Sequence, residues 1–147
     1  MPLSLRASVD IRAPIERIFD LVCTPERLPE WNTSVQSARR SRADEAVGVG
    51  TRAVLSGRLL GQRLESETEV VNFEPPRLFA TRAVRGPPIN TRIVLAAQAE
   101  GTRVDIDVSG EVPGGALGAR VAEGFLRKEL IASLERLRRI GEQVPFS

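Results

Sequence analysis

The stretch from Leu3 to Trp31, LSLRASVDIRAPIERIFDLVCTPERLPEW, constrains the fold most, because one short run writes a strand, a helix, a second turn and a large aromatic residue. Leu3, Leu5, Ala7, Val9 and Ile11 alternate with Ser4, Arg6, Ser8, Asp10 and Arg12. Successive strand side chains point to opposite faces, so this alternation predicts a strand with one buried and one wet face. Pro14, whose fixed φ suits the first turn of a helix, opens a helix to about Val22 with Ile15, Ile18, Phe19 and Val22 on one side. Thr24 is placed to cap a second short helix that starts at Pro25, carries Glu26 in its first turn and stops near Pro29 and Glu30. Trp31 follows directly.

From Val35 onward the pattern becomes extended, with six further strands predicted near 35–42, 50–59, 62–73, 78–85, 91–99 and 102–111. Turn residues separate them: Gly48 and Gly50, Gly61, the Pro75–Pro76 pair, the Gly86–Pro87–Pro88 trio, and Glu100–Gly101 as a tight hairpin. Consecutive antiparallel neighbours are the economical connection. In the fourth strand Glu65, Glu67 and Glu69 occupy one face and Leu64, Ser66, Thr68 and Val70 the other, which predicts a charged outside and a mildly polar inside. In the last strand Asp105, Asp107 and Ser109 face out while Val104, Ile106 and Val108 face in. The longest helix runs over about 116–142. Leu117, Val121 and Phe125 share one side of it, and Leu126, Leu130, Leu134 and Leu137, with Ser133 among them, fall nearly opposite. Gly124 sits at the changeover, so a kink or break is expected there, or burial of both faces by different partners. Arg136, Arg138 and Arg139 suit the negative end of the helix dipole.

Composition excludes several functions. The 147 residues fit one domain, 1–147, large enough to bury a core with a cavity. No run of about 18 apolar residues and no charged-apolar leader is present, so neither a membrane span nor a secretory signal is expected and the cytoplasm is the default location. Arginines are scattered among 19 acidic residues for a net charge of +2, and only six aromatics (five Phe, one Trp) are available for stacking, so no nucleic-acid role is expected. Arg39, Arg40 and Arg42 read as a solvated strand end. Cys23 is alone, which rules out an internal disulfide, and it lies in an apolar helical stretch as a small buried hydrophobe. With no histidine and one cysteine, zinc, copper and haem lack their ligands, and no Asp-rich loop suits magnesium or calcium, so no cofactor is expected.

The order strand, two short helices, six strands and a long C-terminal helix resembles the helix-grip fold of the START-like, birch-pollen-allergen-like superfamily, also called SRPBCC. Within it the likeness is to the bacterial polyketide cyclase/dehydrase and lipid transport group. It rests on ASVDIRAPIERIFDLV, TPERLPEW, GVGTRAVLSG, EVVNFEPPRLFATR and AEGTRVDIDVSGEV, and covers essentially the whole chain. The resemblance implies an α+β helix-grip fold: a seven-stranded curved antiparallel sheet wrapped around the long C-terminal helix, two short helices after the first strand, and a ligand cavity between sheet and helix. These motifs mark the fold and not a reaction.

The group's cyclases use cavity-facing Arg, Tyr, His, Trp and carboxylates, and this chain has neither tyrosine nor histidine. That departure weakens the enzyme reading. The resemblance implies Trp31 over the cavity mouth, with plain core packing as the alternative; strand phase and helix face add Leu55, Leu64, Ser66, Thr68, Leu95, Val104, Ile106, Leu126 and Leu130 to the expected lining, the Ser66 and Thr68 hydroxyls either facing the cavity or bonding to neighbouring backbone. Arg82 joins it if Leu78, Ala80 and Val84 face inward, and faces solvent if Phe79, Thr81 and Ala83 do. Asn90 is a turn residue or a donor at the rim. The leading function is binding of a hydrophobic or amphipathic small molecule, such as a lipid, isoprenoid or polyketide. The alternatives are a cofactor-free polyketide cyclase/dehydratase using cavity Arg or carboxylate groups, and a protein-interaction module. A homodimer is left open.

Overall fold

The computed structural model describes residues 2–59, 61–111 and 116–143. Its elements are β1 (Pro2–Ile11), α1 (Ile15–Cys23), a 3₁₀ turn (Pro25–Arg27), α2 (Leu28–Trp31), β2 (Val35–Arg40), β3 (Arg52–Leu59), β4 (Gln62–Glu74), β5 (Leu78–Arg85), β6 (Ile89–Gln98), β7 (Gly101–Glu111) and α3 (Ala116–Glu142). The seven strands form one antiparallel sheet in the order β1-β7-β6-β5-β4-β3-β2. The arrangement is the helix grip: a curved sheet closed on its concave side by α3, with the short helices across one end.

The alternation in β1 is realised. Leu3, Leu5 and Ile11 are buried, while Ser4, Arg6, Ser8 and Asp10 are exposed. The second helix is a single 3₁₀ turn running into one α turn, and Thr24 does not cap it. Its hydroxyl donates back to the Asp20 carbonyl at 2.7 Å, and the Arg27 N–H is taken by the Thr24 carbonyl at 3.0 Å. The Arg27 N–H that a capping hydroxyl would accept is already taken by that carbonyl, and the Thr24 hydroxyl serves the end of α1 instead. In the last hairpin Gln98 pairs with Gly101, which leaves Ala99 and Glu100 as the two turn residues. Gly101 adopts φ +148°, and a Cβ there would meet the Ile11 carbonyl oxygen at 2.0 Å. Only glycine fits this crossing.

The structure corrects the expectation for α3. The helix is continuous from Ala116 to Glu142, with no break at Gly124, and Val121 (68% exposed) and Phe125 (42%) face outward. Small residues take the inward positions of that half: Ala119 and Ala122 are buried, and Ala122 packs with Leu3 and Leu5 of β1. Small side chains let the helix approach the strand closely, and bulky ones there would hold it away. Gly114, Gly115 and the side chain of Leu117 lie outside the described residues. Farther along, Leu134 and Leu137 enter the main core. The end of α3 is seated by Gly141 against Ile18 and Ile11, and by Glu142, whose carboxylate accepts the Arg12 N–H at 3.1 Å.

Candidate functional site: a cavity between sheet and long helix

The interior is solid at one end only. Phe19, Phe73 and Phe79 meet there, with ring centroids 5.7 and 6.5 Å apart, among Ile18, Leu95, Val104 and Leu137. Toward the other end the inward positions of β3 to β6 become small: Ala53 and Gly57, Ser66 and Thr68, Thr81 and Ala83, Thr91. Little there fills the space between sheet and α3, and a cavity of about 270 Å³ remains.

Eight residues of the expected lining surround this cavity: Trp31, Leu55, Leu64, Ser66, Thr68, Ile106, Leu126 and Leu130. Trp31 is 3% exposed and forms part of the inner wall, with its indole N–H donating to the Leu21 carbonyl at 3.1 Å. Its polar edge is thus occupied by α1, and its ring is a cavity surface. Three expected residues are not brought to the cavity. Arg82 points to solvent, because Phe79, Thr81 and Ala83 take the inner face of β5. It pairs directly across the outer face with Glu69, Nε to Oε1 3.0 Å. Leu95 and Val104 do face inward, but they are register partners buried in the solid end. Strand phase gave their side of the sheet and not their depth.

Sequence reasoning missed Ala53, Gly57, Thr91 and the polar group around Glu129, while Thr81 and Ala83 stood on one of its two readings of the inner face of β5. The signal was a run of small side chains at inward positions across four strands. Gly57 has a separate reason: a Cβ would lie 1.9 Å from the Ser34 carbonyl oxygen, where the α2–β2 connection crosses β3. Asn90 lies on β6, where its carboxamide oxygen accepts the Ala83 N–H at 3.1 Å, just beyond the last β5–β6 register pair. It satisfies a strand-edge donor and does not line the cavity.

A family model described as polyketide cyclase / dehydrase and lipid transport matches residues 2–142. The chain belongs to this family. No curated protein matches it. Among solved structures, a START superfamily protein from Mycobacterium smegmatis is similar at 18% identity with TM-score 0.76, covering 93% of this chain and 97% of that one. Major latex-like protein 151 from Panax ginseng is similar at 14% identity with TM-score 0.76, covering 99% of both chains. The di-domain ARO/CYC protein BexL from the BE-7585A biosynthetic pathway is similar at 20% identity with TM-score 0.76, covering 98% of this chain and 51% of that one. At these identities the likeness is one of fold.

In this member of the polyketide cyclase/dehydrase and lipid transport family, the charged residues on the cavity wall, among those described, are Arg58 and Glu129. Glu129 Oε2 accepts from the Thr33 hydroxyl at 2.6 Å and the Ser34 hydroxyl at 3.2 Å, and Ser133 Oγ accepts the Thr33 N–H at 3.0 Å. These bonds fasten the α2–β2 connection to α3 beside the cavity. Cys23 also reaches the wall. Burial pushes its thiol up to about 11, the Thr24 hydrogen bond opposes this, and the Asp20 charge adds to it. A thiol so raised is protonated at neutral pH and is a poor nucleophile. No helix among the described residues is long and apolar enough to cross a membrane.

Proposed function

We propose that the protein binds a hydrophobic or amphipathic small molecule in the cavity between the sheet and α3. The observation that carries this reading is a preformed space of about 270 Å³ whose wall is mostly apolar. A cavity of about 150 Å³ suffices for one benzene ring, so this one has room for about two rings or a short chain. Burying about ten carbons contributes roughly 8 kcal/mol at about 0.8 kcal/mol per CH₂. That offsets an association cost of about 4 to 15 kcal/mol only where the site needs no reorganisation, and the rigid sheet and Trp31 wall supply that condition.

The family's description names both transport and cyclase or dehydrase chemistry. Acid–base chemistry here would fall to Glu129 or Arg58, and Glu129 is already engaged in holding Thr33 and Ser34. This favours binding over reaction.

The test uses 2-acetyl-6-(dimethylamino)naphthalene, a neutral two-ring dye that brightens in apolar surroundings. Its emission is expected to rise on mixing, with quenching of the single tryptophan, Trp31, which lines the cavity. Ala83→Phe places a ring into the cavity from the middle of β5. It is expected to abolish the dye signal while leaving the far-ultraviolet circular dichroism unchanged. Equal dye binding by the folded variant would sink the proposal.

A further inference from the structure

Eight serines and threonines stand on the cavity wall, and they divide sharply by what their hydroxyls do. Four are engaged: Ser34 with Glu129, Thr51 with the Ala46 carbonyl and the Gly48 N–H, Ser56 with Ser37, and Ser133 with Thr33. The other four, Ser66, Thr68, Thr81 and Thr91, hydrogen-bond through their side chains to no described residue. Yet no fully buried side-chain oxygen or nitrogen among the described residues lacks a partner. These four hydroxyls therefore open onto the cavity.

Register places them in one band. Thr81 of β5 is directly opposite Thr91 of β6. Thr68 of β4 is opposite Ala83, which puts it diagonal to Thr81 on the same face, and Ser66 follows two residues along β4. Val70, Phe79 and Ile93 border the band on the side of the solid core, and Leu55, Leu64 and Ile89 border it on the other. Hydroxyls both donate and accept, so such a band can satisfy a hydroxyl or a carbonyl oxygen. It offers no cation, and an ion buried against it would lose its hydration without compensation.

We infer that the cavity selects an uncharged two-ring or similarly sized hydrophobe bearing a hydroxyl or carbonyl oxygen, held against the Ser66–Thr68–Thr81–Thr91 band. The inference rests on the binding reading above and narrows it to a ligand class.

Equilibrium dialysis at pH 7 with naphthalene, 2-naphthol and 2-naphthoate tests it, since the three share a ring system and differ in one substituent. The expected result is 2-naphthol held at least fivefold more tightly than either of the others. Hydrophobicity alone would favour naphthalene. In a Thr68→Val, Thr81→Val variant, which keeps the side-chain shapes, the preference of 2-naphthol over naphthalene is expected to fall to twofold or less while naphthalene is still held. Should that variant not fold, Thr81→Val and Thr91→Val singly carry the same expectation in part. Naphthalene held as well as 2-naphthol by the native chain overturns the hydroxyl band and leaves the binding reading standing. Tightest binding of 2-naphthoate overturns it in favour of an anion at Arg58. Retention of none of the three overturns both.

Discussion

Strands β4, β5 and β6 each pass through two interiors built from different materials. At the α1 end they contribute Phe73, Phe79 and Leu95, which interlock with Phe19, Ile18 and Leu137 into a core without room for a ligand. A few residues along the same faces they contribute Ser66, Thr68, Thr81, Ala83 and Thr91, and the space stays open. The sheet is continuous across both regions, so backbone geometry does not separate them. Side-chain volume does. The chain has only five phenylalanines and one tryptophan, and three of the phenylalanines are committed to the closed end. Phe125 points to solvent, and among the described residues Trp31 is an aromatic wall of the open end, with Phe79 at its border with the closed end.

The sharpest way to break this comparison is to truncate a leucine in each region. Leu137 is fully buried in the closed end, and Leu137→Ala is expected to cost about 2 to 5 kcal/mol by chemical denaturation, the range for a cavity opened in a packed core. Leu64 is half-buried beside existing space, and Leu64→Ala is expected to cost only about 1 kcal/mol, since fewer packed atoms lose their neighbours. Equal costs at the two sites would mean that the open end is as tightly packed in solution as the closed one.

The open end was legible in the sequence where charge fixed the phase of a strand. Glu65, Glu67 and Glu69 can only face water, so Leu64, Ser66 and Thr68 had to face inward, and they do. On β5 no such marker exists, because Phe79 and Leu78 are both apolar. In β4 a register shift between Val70 and Asn72 lets Val70 and Phe73 both turn inward, with Val71 exposed. Alternation counting cannot see an extra residue in one strand. Depth was equally hidden: Leu95 and Val104 have the right face but lie beyond the cavity's floor. In α3 the weight given to large apolar residues made Val121 and Phe125 look buried, whereas close helix–strand approach selected Ala119 and Ala122.

Cys23 sits at the boundary between the two regions, within the core cluster and on the cavity wall. Its thiol is raised from 9.0 to about 11 by burial. For an acid whose folded pKa is raised, the stabilisation is complete below the unfolded pKa. Above that value the unfolded chain ionises and the folded one does not, so stability is lost as pH rises toward about 11. The loss amounts to roughly 2 kcal/mol. The chain has no tyrosine and Lys128 is its only lysine, so few other groups titrate in this window. Urea midpoints between pH 8.5 and 11 are expected to fall for the native chain and to flatten in Cys23→Ala. Alkylation by iodoacetamide at pH 7.5 is expected to be slow. Rapid modification of the folded protein there would show that the boundary is wetter than its packing indicates.

The smallest effect is expected on the convex face, where the comparison should vanish. Arg82 is opposite Glu69 on the outside of the open end, and Glu69 also accepts from Arg52 Nε at 3.3 Å. The hydrogen bond from Arg82, with that from Arg52, holds the Glu69 carboxyl below its ordinary value. Arg82→Ala removes the larger of these influences, so the Glu69 titration followed by carboxyl NMR is expected to move up toward the ordinary range without reaching it, because Arg52 remains. A carboxyl with a depressed folded pKa adds stability above its unfolded pKa, and that stability disappears as pH falls through the folded value. Any cost of Arg82→Ala is therefore confined to pH above the carboxylate range. Exposed ion pairs contribute little, so the unfolding midpoint at neutral pH is expected to stay within error. Binding of the two-ring dye is expected to be unchanged as well, since the side chain is on the far side of the sheet from Thr81 and Ala83. A loss of dye binding in this variant would show that the outer charge ladder sets the curvature of β4 and β5, and hence that the open end depends on both faces of the sheet.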